Sequence, residues 1–451
     1  MMQTLSEPTN KIIEGSIGRS IFRLALPAMV SSVSIMAFEF VDLFWIGKLG
    51  AKAVAALGAA AFVLWTIKAL ANCVAAGLNA LIARNAGAGN FQRVLMWASQ
   101  GLVLTLLFSI FVASLTYMAN LKLFQLLGLE PEVAHLAQEY TLILTLGMVF
   151  IYGSISLDSI FRAAGNTFIP MVIIVTSLLM NAILDPFFIF GWLRFPRMGM
   201  PGAALASAIS HLFSFILLLT QLPRIGLRLQ FQPQAFRQNS IEIFRIGVPI
   251  GALGAIFSII YILLSKNIAY FGTVPLAAIS IGHRIEGIPF FIAFGFSIAV
   301  ATVVGQNLGA GQPERAERGV RLALAYAVSF LFVISVGFIL FGKAILRLFI
   351  DDPAVIAEGY RYLFAVSIFE IFLAPEVMLE GAFTGAGDTK PPFLISIPLT
   401  FLRIPLSYLF SITLGFGVIA IWWVISFSTF LKGICFWLWF HRGRWKERRI
   451  G

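Results

Sequence analysis

Ile21-Phe22-Arg23-Leu24-Ala25-Leu26-Pro27 and Ile243-Phe244-Arg245-Ile246-Gly247-Val248-Pro249 are one pattern written twice, and the shift between them is 249 minus 27, or 222. The same shift pairs Asn85, Gly87, Ala88 and Gly89 with Asn307, Gly309, Ala310 and Gly311. It pairs Gly50, Ala55 and Ala56 with Gly272, Ala277 and Ala278, and Phe161, Ala164, Gly165, Thr167 and Pro170 with Phe383, Ala386, Gly387, Thr389 and Pro392. Four matches at one shift across about 150 residues mark an internal duplication.

What is duplicated follows from composition. Of 451 residues 59% are apolar and 12% charged, with 44 Phe, which excludes a disordered, fibrous or ordinary soluble chain. A spanning helix of about 20 apolar residues plus a short connection leaves room for roughly a dozen crossings. Apolar runs and their breakers place twelve at 18–47, 53–82, 95–119, 134–161, 168–192, 201–222, 242–270, 275–304, 319–342, 355–382, 391–413 and 416–440. The reading is an all-α polytopic membrane protein, since lipid tolerates no open sheet edge. Six crossings per repeat is an even number, so the two six-helix lobes form a parallel repeat about an axis along the membrane normal. The expected units are residues 1–222, a linker at 223–241, residues 242–440 and a basic tail at 441–451. Polar residues with Pro223 and Pro233 make that linker a joint letting the halves move as bodies.

The formal charge of +11 reads as loop charge that sets orientation, not as a nucleic-acid surface. Lys11, Arg19, Arg23, Arg84, Arg93, Arg162, Arg224, Arg228, Arg237, Arg245, Arg315, Arg318, Arg321 and Lys390 share one side with the tail's Arg442, Arg444, Lys446, Arg448 and Arg449. The other side has Lys48, Lys52, Lys122, Arg194, Arg197, Lys343 and Arg347, a minority, so both termini are expected in the cytoplasm and the protein in the plasma (inner) membrane, as a monomer in contact with lipid. The polar start from Met1 to Gly15 reads as lacking a removable signal, with the first helix directing insertion. Cys73 and Cys435, far apart in apolar runs, suggest neither a disulfide framework nor a thiolate metal site.

Two lobes around a cavity open to one side at a time describe a carrier better than a channel. The residues at the repeat joints also resemble a known family. Asn85-Ala86-Gly87-Ala88-Gly89, Gly305-Gln306-Asn307-Leu308-Gly309-Ala310-Gly311, the turns Phe161-Arg162-Ala163-Ala164-Gly165-Asn166-Thr167 and Phe383-Thr384-Gly385-Ala386-Gly387-Asp388-Thr389, and Phe40-Val41-Asp42 with Gly47 are similar to the multidrug and toxic compound extrusion (MATE) transporters. The resemblance covers nearly the whole chain. It implies export of organic cations or amphipathic drugs in exchange for inward H+ or Na+, with no cofactor beyond that ion.

Ionisable residues inside apolar spans are functional candidates by default. Asn181 and Asp185 sit four apart on the fifth span, as Ala203 and Ser207 do on the sixth, so each pair shares a face. With Asp42 the first lobe would gather two carboxylates, an amide oxygen, a hydroxyl and a backbone carbonyl. Such a set suits a small hard cation, with Na+ at Asp42, Asn181, Asp185 and Ser207, or a proton shared by two close carboxylates. The resemblance carries an ion role onto Asp42, Asn181 and Asp185 directly, and onto Ala203 and Ser207 with Ser in place of the family's frequent Thr; it points to the branch with its ion site in the N-terminal lobe. A polar network that merely pins the helices is the alternative. The repeat supplies a check: adding 222 turns Asp42 into Leu264, Asn181 into Arg403 and Asp185 into Ser407, so no second cation site is expected.

Residues 250–265 carry no acid, unlike the seventh span in some MATE branches. Glu286, Glu370 and Glu376 are the cavity or substrate candidates of the second lobe, and the alternative is a structural ion pair with Arg284 or Arg403. Glu39, three residues before Asp42, would attract a cationic substrate. Asp158 and Glu380 are repeat mates with an expected role in turn support. Pro27, mated with Pro249, permits a bend, and the ionisation state of Asp42 is expected to bias helix 1 between straight and kinked forms. Two other classes stay open: a flippase for lipid-linked saccharide, needing a cationic cavity, and an organic-acid exporter, needing Lys68, Arg284 or Arg403 to face inward. An enzyme is not expected, for no His-Glu-x-x-His, Gly-x-Ser-x-Gly or Walker loop occurs and the four histidines do not cluster.

Overall fold

The structure, a computed structural model, describes residues 9–126, 129–230 and 233–450; the first eight residues, Leu127 and Gly128, Phe231 and Gln232 of the linker, and Gly451 lie outside them. Among the described residues the regular structure is helical throughout. The first half contains α1 (Ile17–Gly47), α2 (Ala51–Gly87), α3 (Phe91–Leu126), α4 (Pro131–Leu146 then Met148–Ala163), α5 (Phe168–Phe190) and α6 (Met200–Gln221). The second contains α7 (Phe236–Ala269), α8 (Thr273–Gly309), α9 (Pro313–Arg347), α10 (Pro353–Ala386), α11 (Lys390–Thr413) and α12 (Ile419–His441). Eleven are long and apolar enough to cross a membrane as single helices, and the bent α4 is the twelfth.

The duplication is visible in the backbone. Gly89 and Gly311 have φ of 69° and 71°, Gly165 and Gly387 85° and 74°. These left-handed residues close the helix ends, which glycine does without a Cβ penalty. The closing hydrogen bonds repeat too, Asn90 N to Asn85 O at 2.9 Å and Gln312 N to Asn307 O at 2.8 Å. Asn85 and Asn307 each return a side-chain bond to the preceding turn at 2.8 Å.

Breaks fall where backbone chemistry dictates. The two parts of α4 meet at 56° around Gly147. Pro375 cannot donate to Ile371, and just before it α10 tightens into a 3₁₀ turn at Glu370–Phe372. The linker is shorter than expected: α7 begins at Phe236, and the linker packs on the first lobe, with Leu227 buried and Gln230 N donating to Ser99 Oγ at 2.8 Å.

The lobes meet through glycines at the end of the bundle that carries both termini. A methyl group at Gly87 would lie 1.9 Å from the Gln306 carbonyl oxygen, and one at Gly309 would lie 2.0 Å from that of Arg84. Since 84 plus 222 is 306 and 87 plus 222 is 309, the contact is reciprocal about the pseudo-twofold axis. The seam continues along α2 and α7 through Gly77 against Ile243, Gly247 and Gly251 against Cys73, and Gly254 against Ala69. About three turns further along α2, Gly58 has nothing within 4 Å of where its side chain would be. The tail is not simply solvated. Trp445 is buried, Ile450 rests on Gly387 of the second lobe, Lys446 pairs with Glu317, and Arg84 of the first lobe donates to the Arg448 carbonyl at 2.7 Å.

Candidate ion site in the first lobe and the carboxylates of the second

Asp42 is buried on the inner face of α1 although it stands five residues from that helix's end. Its Oδ2 accepts hydrogen bonds from the Tyr140 hydroxyl at 3.0 Å and from Ser207 Oγ at 3.2 Å. Asn181 Nδ2 donates to Asp185 Oδ1 and to Ser207 Oγ, both at 3.3 Å. The Asp185 carboxyl comes within hydrogen-bonding reach of Asp42. Asn181, Asp185 and Ala203 are fully buried and Ser207 nearly so. Asp42, Asn181, Asp185 and Ser207 therefore meet at one place, from α1, α5 and α6, while Ala203 is buried one turn before Ser207 on α6.

Hydrogen-bond accounting shows what the cluster lacks. Asp42 Oδ1, Asn181 Oδ1 and Asp185 Oδ2 are buried and have no donor. Each such acceptor costs about 1–3 kcal/mol if left alone. A small cation ringed by these oxygens, or a proton between the two carboxyls, removes that cost. Among the described residues no group of three or more His, Cys, Asp or Glu stands together, so the oxygen set fits a hard monovalent ion better than a transition metal.

Two residues not marked in the sequence join the cluster: Tyr140, a further donor to Asp42, and the neighbouring Thr141, whose buried hydroxyl oxygen also has no partner. Both lie before the Gly147 bend in α4. Lys68 on α2 acts electrostatically on Asp42 and on the half-buried His211, which stacks on Phe38 at 5.6 Å between ring centres. Glu39 makes no hydrogen bond to Asp42 and accepts from Trp65 Nε1 at 2.8 Å.

The second lobe fills the equivalent position with a tethered cation. Arg403 is 2% exposed, and its guanidinium donates to Ser428 Oγ at 2.5 Å, the Tyr261 hydroxyl at 2.9 Å, Thr429 Oγ1 at 3.2 Å and the Ile425 carbonyl at 3.3 Å. Ser407 takes a bond from Asn267 at 2.8 Å, and Leu264 is buried. A permanent charge bonded to neutral oxygens leaves no room for a second free cation there.

Of the two readings left open for Glu286, the salt bridge to Arg284 or Arg403 is not the one formed. Arg284 lies over the Phe40 ring at 5.3 Å and Arg403 is committed elsewhere, while Glu286 takes the Tyr362 hydroxyl and His283 Nδ1, the latter at 3.3 Å. Glu370 is buried in the 3₁₀ turn of α10 with one oxygen unpartnered, and Glu376 is ion-paired with Lys432. Asp158 and Glu380, assigned to turn support, both line a cavity of about 350 Å³ where the lobes join.

The MatE family pattern matches residues 27–187 and again 249–409. The chain belongs to the MatE family. Both limits of the MatE match are 222 apart (249 minus 27, 409 minus 187), the shift of the internal repeat. Among curated relatives, a probable multidrug resistance protein NorM of Thermotoga maritima is 28% identical over 440 residues, covering 96% of this chain and 94% of that protein. A FAD transporter of Shewanella oneidensis is 28% identical over 351 residues, covering 76% and 77%. A solved MOP superfamily transporter from Pyrococcus furiosus superposes with a TM-score of 0.90 at 23% identity, over 97% of this chain and 98% of that one, a likeness of fold. MatE proteins are transporters, so this chain is an integral membrane transporter and not an enzyme.

Proposed function

We propose that the protein is a secondary active multidrug efflux antiporter, exporting organic cations or amphipathic drugs in exchange for inward H+ or Na+, with the ion coupled in the first lobe. It works by alternating access as a monomer in the plasma (inner) membrane, both termini cytoplasmic, with no cofactor beyond the coupling ion. One observation carries the reading: two buried carboxyls and an amide present three oxygens without donors at one point, while the repeat-related point holds Arg403. Coupling is therefore asymmetric. The relatives named for multidrug resistance support a drug as cargo.

The two six-helix lobes move as bodies about the segment that joins α6 to α7, expected at 223–241 and ending at Phe236 where α7 begins, and the glycine seam closes one side. Pro27 supplies the link between ion and movement. The helix α1 runs unbroken through Pro27, and in the next turns Ser31, Ser32 and Ser34 bond back to the carbonyls of Pro27, Ala28 and Val30 at 3.0, 2.9 and 2.8 Å. A proline followed by back-bonding serines makes a soft turn. Loading or unloading the Asp42 cluster biases α1 between straight and bent forms, and a Pro27→Ala variant with full efflux and full ion coupling would refute this.

Other cargo classes find less support. An organic-acid exporter needs free inward cations, yet Arg403 is consumed by protein acceptors. A flippase for lipid-linked saccharide needs a cationic cavity, yet the inter-lobe cavity has three carboxylates against two cations. The test is efflux of a fluorescent organic cation from everted vesicles under separately imposed Na+ and pH gradients. Wild type is expected to follow one gradient and Asp42→Asn neither; transport untouched in Asp42→Asn would remove the first-lobe site.

A further inference from the structure

The segment that follows α12 begins on one lobe and reaches the other. Gly443, with φ of 71°, turns it away from the helix, and Trp445 is buried in the second lobe's core together with Phe383, Phe436 and Phe440. Lys446 ion-pairs with Glu317 of α9 in the same lobe. At Arg448 the backbone is extended and the chain crosses the seam. The Arg448 carbonyl accepts from Arg84 of α2 at 2.7 Å, while the Arg448 side chain acts electrostatically on Asp388 of the second lobe. Ile450 rests on Gly387 and packs against the apolar cluster of α2, α3 and α4 in the first lobe. Arg84 is itself a seam residue, since its own carbonyl faces Gly309. The repeat mate of this segment, residues 220–228 (442 minus 222 and 450 minus 222), stays on its own lobe, with Leu222, Ile225 and Leu227 buried in the first lobe's core. The crossing is therefore particular to the second copy.

We propose that residues 442–450 form a strap that latches the two lobes together at this end of the bundle. Its root moves with the second lobe, so parting the lobes here pulls the Arg448 carbonyl off Arg84 and uncovers Ile450. Root and tip differ in strength. The root has a buried tryptophan and an ion pair, whereas the tip has one charge-assisted hydrogen bond and one apolar side chain. The tip therefore lets go first and can seat again, which makes the strap a reversible latch and not a fixed tie. Because its contacts across the seam exist only while the lobes are together, it biases the resting carrier toward the arrangement closed at this end. The inference goes beyond the export reading and rests only on that reading's moving lobes.

The test is double electron–electron resonance on the full-length protein in lipid nanodiscs, with Cys73 and Cys435 replaced by Ala and spin labels at Gln92→Cys and Glu314→Cys. Gln92 and Glu314 are exposed repeat mates (314 minus 92 is 222) in the first turns of α3 and α9, one on each lobe at the strap's end of the bundle. Ile450→Asp and Arg84→Met, which remove the tip's contacts from opposite sides, should each raise the ratio of long to short distances about tenfold, while Ile450→Val stays close to the unsubstituted strap. A second pair of labels, at Glu314→Cys and Lys390→Cys within the second lobe, should keep its distance in every variant. An unchanged cross-lobe ratio in Ile450→Asp and Arg84→Met overturns the strap, and so does a broadening of both pairs together, which reports a loosened fold. Gly309→Ala separates the two failures. A shift there without one in the strap variants removes the strap alone, whereas no shift even in Gly309→Ala means that the lobes do not part at this end.

Discussion

Gly309→Ala tests whether the glycine seam is a working closure. The new methyl would lie 2.0 Å from the Arg84 carbonyl oxygen, against 3.4 Å for an ordinary contact, so α8 and α2 must separate by 3.4 minus 2.0, or 1.4 Å, at this point. Both sides are backbone, which cannot rotate away, and overpacking of this kind costs about 1–3 kcal/mol. The helix-propensity gain of Ala over Gly, up to about 1 kcal/mol, is the same with the seam closed or open and cancels from the balance. The closed arrangement should therefore lose roughly 5- to 150-fold in population relative to the open one. Cys73 is a native reporter: it is 4% exposed and lies in the seam against Gly247 and Gly251. With Cys435 replaced by Ala, the rate of N-ethylmaleimide labelling at Cys73, followed by mass spectrometry, should rise in Gly309→Ala and in its mate Gly87→Ala. It should not change in Gly58→Ala, where the methyl meets open space. Labelling as slow in Gly309→Ala as in wild type, or equally fast in Gly58→Ala, would refute the closure.

The remaining expectations concern the site, the second lobe and the tail. Ser207→Ala removes the hydroxyl that joins Asp42 to Asn181 and should raise the half-saturating concentration of the coupling ion about tenfold, with Ser207→Thr close to wild type in the same transport assay. Lys432→Met leaves Glu376 buried without its cation and should destabilise the fold by about 3–5 kcal/mol; the double variant with Glu376→Gln should recover most of that loss in a thermal unfolding scan. Trp445→Ala should lower the same unfolding midpoint by the equivalent of about 3–5 kcal/mol, because Trp445 stacks on Phe440 at 4.9 Å and bonds its carbonyl at 3.1 Å, whereas a truly solvated tail would give no change.

The repeat was legible because duplication leaves one arithmetic trace in turns, prolines and glycines, and the same residues then repeat their backbone angles. Asp42, Asn181, Asp185 and Ser207 were legible because polar groups on apolar spans are few and helical spacing of four sets their faces. Tyr140 was not, since its reach to Asp42 is made across helices, from the part of α4 that precedes the Gly147 bend. The role of Glu286 stayed open for a related reason: Arg284 and Arg403 were cationic candidates in the sequence, while packing brought Tyr362 from α10. The tail's basic residues carried only its side of the membrane, whereas the seat of Ile450 on Gly387 is a contact between positions far apart in sequence. The α7 start was placed six residues late because polar Arg237, Gln238 and Asn239 mask a helix that begins outside the apolar run.

The most direct measurement of coupling is calorimetric titration of the purified protein with tetraphenylphosphonium, in two buffers of different ionisation enthalpy and with and without Na+. The account predicts that cargo binding displaces about one coupling ion per chain, seen as proton release or as Na+ competition, and that the displacement disappears in Asp42→Asn while cargo still binds. Cargo binding that displaces no ion in wild type, or displacement that persists in Asp42→Asn, would contradict it.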